Sequence, residues 1–346
     1  MRAQALVCAL LASIAMSPGA VAQDQPTGPK LSAFQVYWEN DAFLQNDPSD
    51  EFYTNGVKIA WMFNPNVKGP PDWTTDFLDL WCRTGLCTDG EVEYGYGHAV
   101  GQNMYTPDTT TDPNPQPDDR PWAGYLYYSW ILQSTHKGKK EGQDVQNLFE
   151  LQTGLVGPGA GARFAQTQIH KLIDSAKPLG WSNQIRNEPT INLSYLWRKR
   201  IGSSTLDFVP RFGGGVGNVM TYASVGGTVR LGFHISGFPQ VLITPTVKSV
   251  DRELKKFELY VFAGGEGRAV AHNIFLDGNS FRNGPEILID RKGFVYDANF
   301  GFAVRYKGWR LDYTVVQRST ELDPPPGRTG GSHRFGSFAV SWGLWK

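Results

Sequence analysis

Apolar and polar residues alternate along this chain in segments of about ten, separated by turn residues, as strands between two different media require. Phe34, Val36 and Trp38 alternate with Gln35, Tyr37 and Glu39, and Val57, Ile59, Trp61 and Phe63 with Lys58, Ala60 and Met62. Further apolar files are Ile191-Leu193-Tyr195-Trp197, Ala298-Phe300-Phe302-Val304-Tyr306 and Trp309-Leu311-Tyr313-Val315. A last file, Phe338-Val340-Trp342-Leu344, ends where Trp345 breaks the phase before Lys346. A soluble sandwich buries similar files. Aromatics at the file ends and a strand at the chain end favour an all-β fold, a transmembrane antiparallel β-barrel with apolar files on lipid and polar files on the lumen.

Two stretches leave this rhythm. In Asp72–Cys82, Trp73, Phe77, Leu80 and Trp81 fall at helical spacing after Pro70-Pro71. In Ala165–Ala176, Ala165, Ile169, Leu172, Ile173 and Ala176 share one helical face, stopped by Pro178 and Gly180. Both are expected as short helices in extracellular loops. Thr106–Pro121, rich in Pro, Asp, Thr and Asn, and Asp323–Gly331, with Pro324-Pro325-Pro326 and Gly330-Gly331, read as polar loops. No internal repeat or linker divides the chain.

The first 22 residues read as a secretory signal: charged Met1-Arg2, an apolar run from Ala5 to Met16, and Ala20-Val21-Ala22 before the cleavage point. Residues 23–346 then form the barrel domain. Cys8 raises a lipoprotein signal as a rival, which Val7 and the early position oppose. No later run of about eighteen apolar residues spans a bilayer as a helix. The chain has 33 basic and 33 acidic residues. Loss of Arg2 leaves a near-neutral surface with no electrostatic case for nucleic acid. Cys82 and Cys87 remain, and in an exported chain they suggest a small disulfide-closed loop. The 39 glycines and 20 phenylalanines suit tight turns and aromatic girdles, although they suit a sandwich as well.

Candidate chemistry gathers in a few strings. Gln166, His170 and Asp174 recur every fourth residue, so on a helix they share a face. A histidine there can act as general base with a neighbouring amide or carboxylate fixing its tautomer; the plainer reading is an exposed helical histidine. Glu39-Asn40-Asp41 supplies oxygen ligands of the kind a hard cation takes, without the spacing of an EF-hand. Locally it reads equally as a polar strand end. Thr54, before the turn signal Asn55-Gly56, can donate a hydrogen bond or support the turn. No Gly-x-Ser-x-Gly elbow, His-Glu-x-x-His or phosphate-binding glycine loop occurs.

Eight strings taken in order resemble the outer-membrane lipid A deacylases of the LpxR type. They are Glu39-Asn40-Asp41, Tyr53-Thr54-Asn55-Gly56, Gly101-Gln102-x-x-Tyr105-Thr106-Pro107 and Asp119-Arg120-Pro121-Trp122-Ala123-Gly124. Then come Gln166-x-x-x-His170, Gly180-Trp181-x-Asn183-Gln184, Gly217-Asn218-Val219-x-Thr221-Tyr222 and Phe275-Leu276-Asp277-Gly278-Asn279. The resemblance implies about twelve strands in the cell outer membrane and removal of the 3′-acyloxyacyl chain of lipid A. It also implies calcium (Ca2+) dependence and a histidine-activated water. Carried over by motif, His170 is the base and Asp41 a calcium ligand, with Asn40 and Thr54 positioning metal or oxyanion and Gln166 lining the site. The family's downstream carboxylate is matched by Asp174 or by Glu188. Arg120 and Lys58, with Lys171, are candidates to meet the substrate's phosphates.

The expected partners are lipid A in lipopolysaccharide, the surrounding outer-membrane lipids and, during biogenesis, the barrel assembly machinery; the barrel itself is expected to be a monomer. Two other readings remain open at this point. One is a barrel without activity, acting as a pore or structural protein. The other is an outer-membrane phospholipase with a serine nucleophile.

Overall fold

The computed structural model describes residues 30–43, 52–64, 72–240, 257–323 and 332–343. The signal segment, most of the loop after Asp323 and the Trp345-Lys346 ending lie outside the described residues. Twelve long strands follow one another: β1 (Lys30–Asn40), β2 (Phe52–Asn64), β3 (Val92–Thr106), β4 (Ala123–His136), β5 (Val145–Val156) and β6 (Glu188–Lys199). The second half comprises β7 (Leu206–Gly217), β8 (Met220–Phe233), β9 (Phe257–Asn273), β10 (Phe294–Tyr306), β11 (Trp309–Arg318) and β12 (His333–Gly343). Each pairs antiparallel with the next, β6 joins β7, and β12 returns to β1 through Phe34↔Trp342 and Trp38↔Phe338. The ring is closed and leaves no free sheet edge among the described long strands, as the hydrocarbon interior demands.

Alternation sorts the side chains onto two faces. On β10, Phe294, Tyr296, Phe300, Phe302 and Tyr306 are exposed on the outer wall, while Asp297, Asn299 and Arg305 are buried inside. The interior is held by ion pairs: Lys58 to Glu150 at 2.5 Å, Asp207 between Arg200 and Arg230, Asp297 between Arg268 and Arg318, and Arg211 to Glu266. A soluble sandwich would place these groups the other way round. The apolar exterior and charged interior define a membrane barrel.

Both ends of the lumen are filled. At the end holding Lys30 and Gly343, residues 235–240 fold inward: Arg230 donates to the Ser236 and Gly237 carbonyls, Arg198 to the Pro239 carbonyl, and Tyr37 to the Gln240 side chain at 3.2 Å. At the opposite end a short helix, Ile274–Asp277, puts Phe275 onto the Tyr105 ring, with centroids 4.0 Å apart. Tyr125, Ile185, Val316 and Phe335 pack around it.

The first helix, α1 (Asp72–Cys82), has the bounds its apolar spacing predicts, and the Cys82–Cys87 disulfide follows it. It connects β2 to β3 at the end that holds Lys30 and Gly343. The second helix, α2 (Ala162–Ile173), connects β5 to β6 at the other end, which carries the longer loops of an extracellular face. The expectation of an extracellular helix is met by α2. α1 stands at the periplasmic end instead, because an even number of strand crossings precedes it.

Candidate active site

The extracellular end of the outer wall is where α2 meets the barrel. Side chains of β3 and β4 with even numbers point outward, since their odd neighbours pair across to inward-facing Lys58 and Ala60 on β2. Gly124 is one of these outward positions, and a Cβ there would come within 2.6 Å of the Ala162 Cβ. Glycine lets the helix start directly against the strand. Gln102, also outward, donates to the Ala160 carbonyl at 2.6 Å. Met104, Trp122, Ala162 and Trp181 form the apolar seam under α2, with Ala165 and Ile169 beside it. Gly180 serves the same seam: a Cβ there would lie 2.6 Å from the Trp122 ring.

Two polar side chains are buried within this seam. His170 is 5% exposed, and its Nδ1 lies 2.5 Å from the Ala176 carbonyl oxygen. A carbonyl only accepts, so Nδ1 carries a proton, and in the neutral form of the ring the lone pair lies on Nε2. Gln166, one turn earlier and 2% exposed, accepts from the Trp181 indole N–H at 2.6 Å. The indole only donates, which fixes the amide oxygen toward it. The buried Gln166 Nε2 then has no hydrogen-bond partner among the described residues.

The oxygen-rich strand end lies on the same face. Asn40 closes β1 on its outward file, and Asp41 opens the following 3-10 turn and is buried. Asn40 pairs in register with Asn55 of β2, whose side-chain Oδ1 is buried without a hydrogen-bond partner among the described residues. β1 and β3 are separated by one strand, about 10 Å across the sheet, so α2 over β3 and β4 neighbours this end. Thr54 sits at the register shift between Tyr53 and Asn55. Asn55-Gly56, a turn by its sequence, lies inside β2.

Other expected residues go elsewhere. Glu39 faces the lumen, one strand position from Asn40 and therefore on the opposite side of β1. Lys58 is inside the barrel with Glu150, far from any phosphate on the lipid face. Arg120 is buried at the mouth, 2.5 Å from Glu321 and over the Tyr105 ring. Burial would raise the Glu321 carboxyl, but Arg120 and Arg318 hold it down to about 2. The neighbouring Asp119 is raised by burial despite accepting the Arg120 and Asp108 backbone N–H groups. Asp174 does not extend the helical face of His170; it is the exposed, left-handed cap, φ 56°, that ends α2. α2 runs three residues earlier than its apolar spacing suggests, and Ala176, expected on the helix, lies past it. Lys171 is exposed on α2.

Glu188 is a loop anchor. Its carboxylate accepts from the Asn218 and Asn279 side chains and from the Ser280 and Phe281 backbone N–H groups, at 3.1 to 3.3 Å. The Asn279 side chain also clasps both the N–H and the carbonyl of Arg186. The Gly217–Tyr222 and Phe275–Asn279 strings thus lock loops together, a role their residue types alone do not announce. Asn55 and Gln102, which the sequence reading does not single out, face the same outer wall. Their signal was outward parity on strands already recognised.

A closed twelve-stranded barrel with an apolar outer wall defines an outer-membrane protein, and two buried polar side chains, Gln166 and His170, lie under a loop helix on that wall. The sequence model of the family described as "Outer membrane protein LpxR" matches residues 6–344, and this chain belongs to that family. Among solved structures, LpxR from Salmonella typhimurium is similar with a TM-score of 0.67 at 19% identity, covering 90% of this chain and 99% of that one. The β domain of the Bordetella autotransporter BrkA aligns over 90% of this chain and 98% of its own, with a TM-score of 0.40 at 9% identity. No curated protein matches by sequence.

Proposed function

We propose that this protein is a lipid A deacylase, hydrolysing the ester that holds the 3′-acyloxyacyl chain. The observation carrying this reading is the buried His170 imidazole, its Nδ1 proton committed to the Ala176 carbonyl, one turn from the Gln166 amide nitrogen, which has no partner among the described residues, on the lipid-facing wall. Lipid A is anchored in the outer leaflet, so a pocket on the outer wall receives its ester without extracting the acyl chains. Nε2 takes a proton from water as the water oxygen attacks the ester carbonyl. Gln166 Nε2–H is positioned to donate to the oxyanion that develops. The tetrahedral intermediate then collapses, the C–O bond to the sugar breaks, and the imidazolium returns its proton to the departing oxygen. The products are a free 3′-hydroxyl and an acyloxyacyl carboxylic acid.

The donor set at the end of β1 fits a hard cation: the Asp41 carboxylate with amide oxygens of Asn40 and Asn55, the last buried and without a partner among the described residues. Bound there, calcium would polarise the ester carbonyl as a Lewis acid. Mass spectrometry of lipid A from cells expressing the protein should show loss of one acyloxyacyl group. That loss should disappear with a calcium chelator and return with added calcium. Unmodified lipid A beside a correctly folded barrel would overturn the deacylase, whereas activity surviving chelation would remove only the metal.

A serine-hydrolase reading has one geometric argument. His272 Nδ1 lies 3.2 Å from Asp277 and its Nε2 lies 3.3 Å from the Ser280 hydroxyl. However, Nε2 also faces the Asn218 carbonyl at 3.1 Å. With acceptors at both nitrogens the ring is best satisfied as an imidazolium, which cannot take a serine proton. Burial would raise the Asp277 carboxyl, but bonds from His272, Asn273 N–H and Arg291 draw it below its ordinary value. The cluster is a clasp, and Ser280→Ala should retain full deacylation in the lipid A assay; a loss comparable to that of His170→Ala would reinstate the serine. The pore reading is disfavoured by a lumen filled at both ends.

A further inference from the structure

α1 lies outside the cylinder, on the membrane side of its wall. Trp81 stands edge-on to Phe149 of β5 and Tyr195 of β6, with centroids 5.0 and 4.9 Å away, and Phe77 meets Phe149 at 5.0 Å. Asp79 accepts from Tyr94 of β3, and the Cys82 sulfur is 3.4 Å from His136 Nε2 of β4. Phe149 and Tyr195 have outward parity, because Glu150, next to Phe149, and Arg198, three positions from Tyr195, turn inward to Lys58 and Gln146. The helix therefore crosses four strands on their lipid face, and the Cys82–Cys87 disulfide closes the chain behind it.

At about 100° per residue, Thr74, Leu78 and Trp81 form the edge against the wall. Trp73, Phe77 and Leu80 form the adjoining edge, and Trp73 and Leu80 are each 60% exposed. Asp72, Asp76 and Asp79 lie on the edge opposite Phe77, where Asp79 reaches Tyr94 near the strand end. The strands set the height of each edge. Phe149 and Tyr195 lie four residues inside the strand ends at Val145 and Lys199, about 13 Å along the wall. Tyr94 and His136, which meet Asp79 and Cys82, lie at or near the ends of β3 and β4. The aromatic edge thus faces the membrane and the acidic edge faces water. On the wall to either side, stacked outward rings continue the same level, Phe63 with Tyr96 and Trp197 with Phe212.

From this we infer that α1 is an interfacial foot, seated in the periplasmic leaflet of the outer membrane with Trp73, Phe77 and Leu80 among phospholipid headgroups and upper acyl chains. Continuity with the aromatic belt names lipid as the occupant, and three aspartates on the water edge favour zwitterionic over anionic headgroups. The role is independent of the deacylase reading.

The test uses the full chain folded into phosphatidylcholine vesicles, with and without bromines on the upper acyl carbons. The emission of Trp73 is taken as the difference between wild type and Trp73→Phe, a change the site tolerates sterically. Bromolipid should lower that component about twofold, as for an indole at headgroup depth, and aqueous acrylamide should reach it poorly. Equal emission in both vesicles, with ready acrylamide quenching, would overturn the inference. So would equal emission with acrylamide protection and cross-linked dimers, which would make a second copy the occupant.

Discussion

His170→Ala is expected to lower the rate of lipid A deacylation by about 10²- to 10⁴-fold, the usual worth of a positioned general base, while the barrel keeps its heat-modifiable migration on a gel. The separation follows from where α2 sits. The helix lies against the outer wall through Ala162, Ala165 and Ile169, and His170 takes no part in the strand ladders. Truncation removes the base and leaves the Ala176 carbonyl without its ring donor, a local loss. His170→Gln sharpens the test, because its amide can still donate to that carbonyl but cannot take a proton from water. Both variants should therefore fold and both should be inactive. Wild-type rates in either folded variant would remove His170 from the mechanism and move attention to the Asp41 end of the pocket.

The strands were legible because lipid and lumen impose opposite polarity on successive residues, so Phe300 and Asn299 declare their faces without any knowledge of tertiary structure. α1 was legible to the residue, since an apolar stripe begins after Pro71 and a cysteine ends it. α2 was displaced because its start is fixed by Ala162 against Gly124, a contact between segments nearly forty residues apart. The same displacement took Asp174 off the helix and into a left-handed cap. Glu39 and Asn40 could have been separated by the rule that found the strands: adjacent residues on β1 cannot serve one site. The clustering hid the alternation. Glu188 was beyond reach, because nothing local announces that Asn218 and Asn279 converge on it from two loops.

Lys58 is the clearest case of chemistry assigned to the wrong side of the wall, and its substitution should report stability and not substrate binding. Its ammonium is buried in the lumen at 2.5 Å from Glu150, and Gln152 donates to the same carboxylate oxygen. Lys58→Ala is expected to cost about 3–5 kcal/mol in urea unfolding followed by tryptophan fluorescence, because a buried carboxylate is left unpaired. KM for lipid A should not change, since no lipid-facing group is touched. The paired replacement Lys58→Met with Glu150→Leu should recover most of the loss, because two apolar side chains need no compensation for desolvation. Recovery should stop short of complete, as Gln152 loses its acceptor. A raised KM with unaltered stability would instead return Lys58 to the substrate and require the interior ion pair to open during turnover.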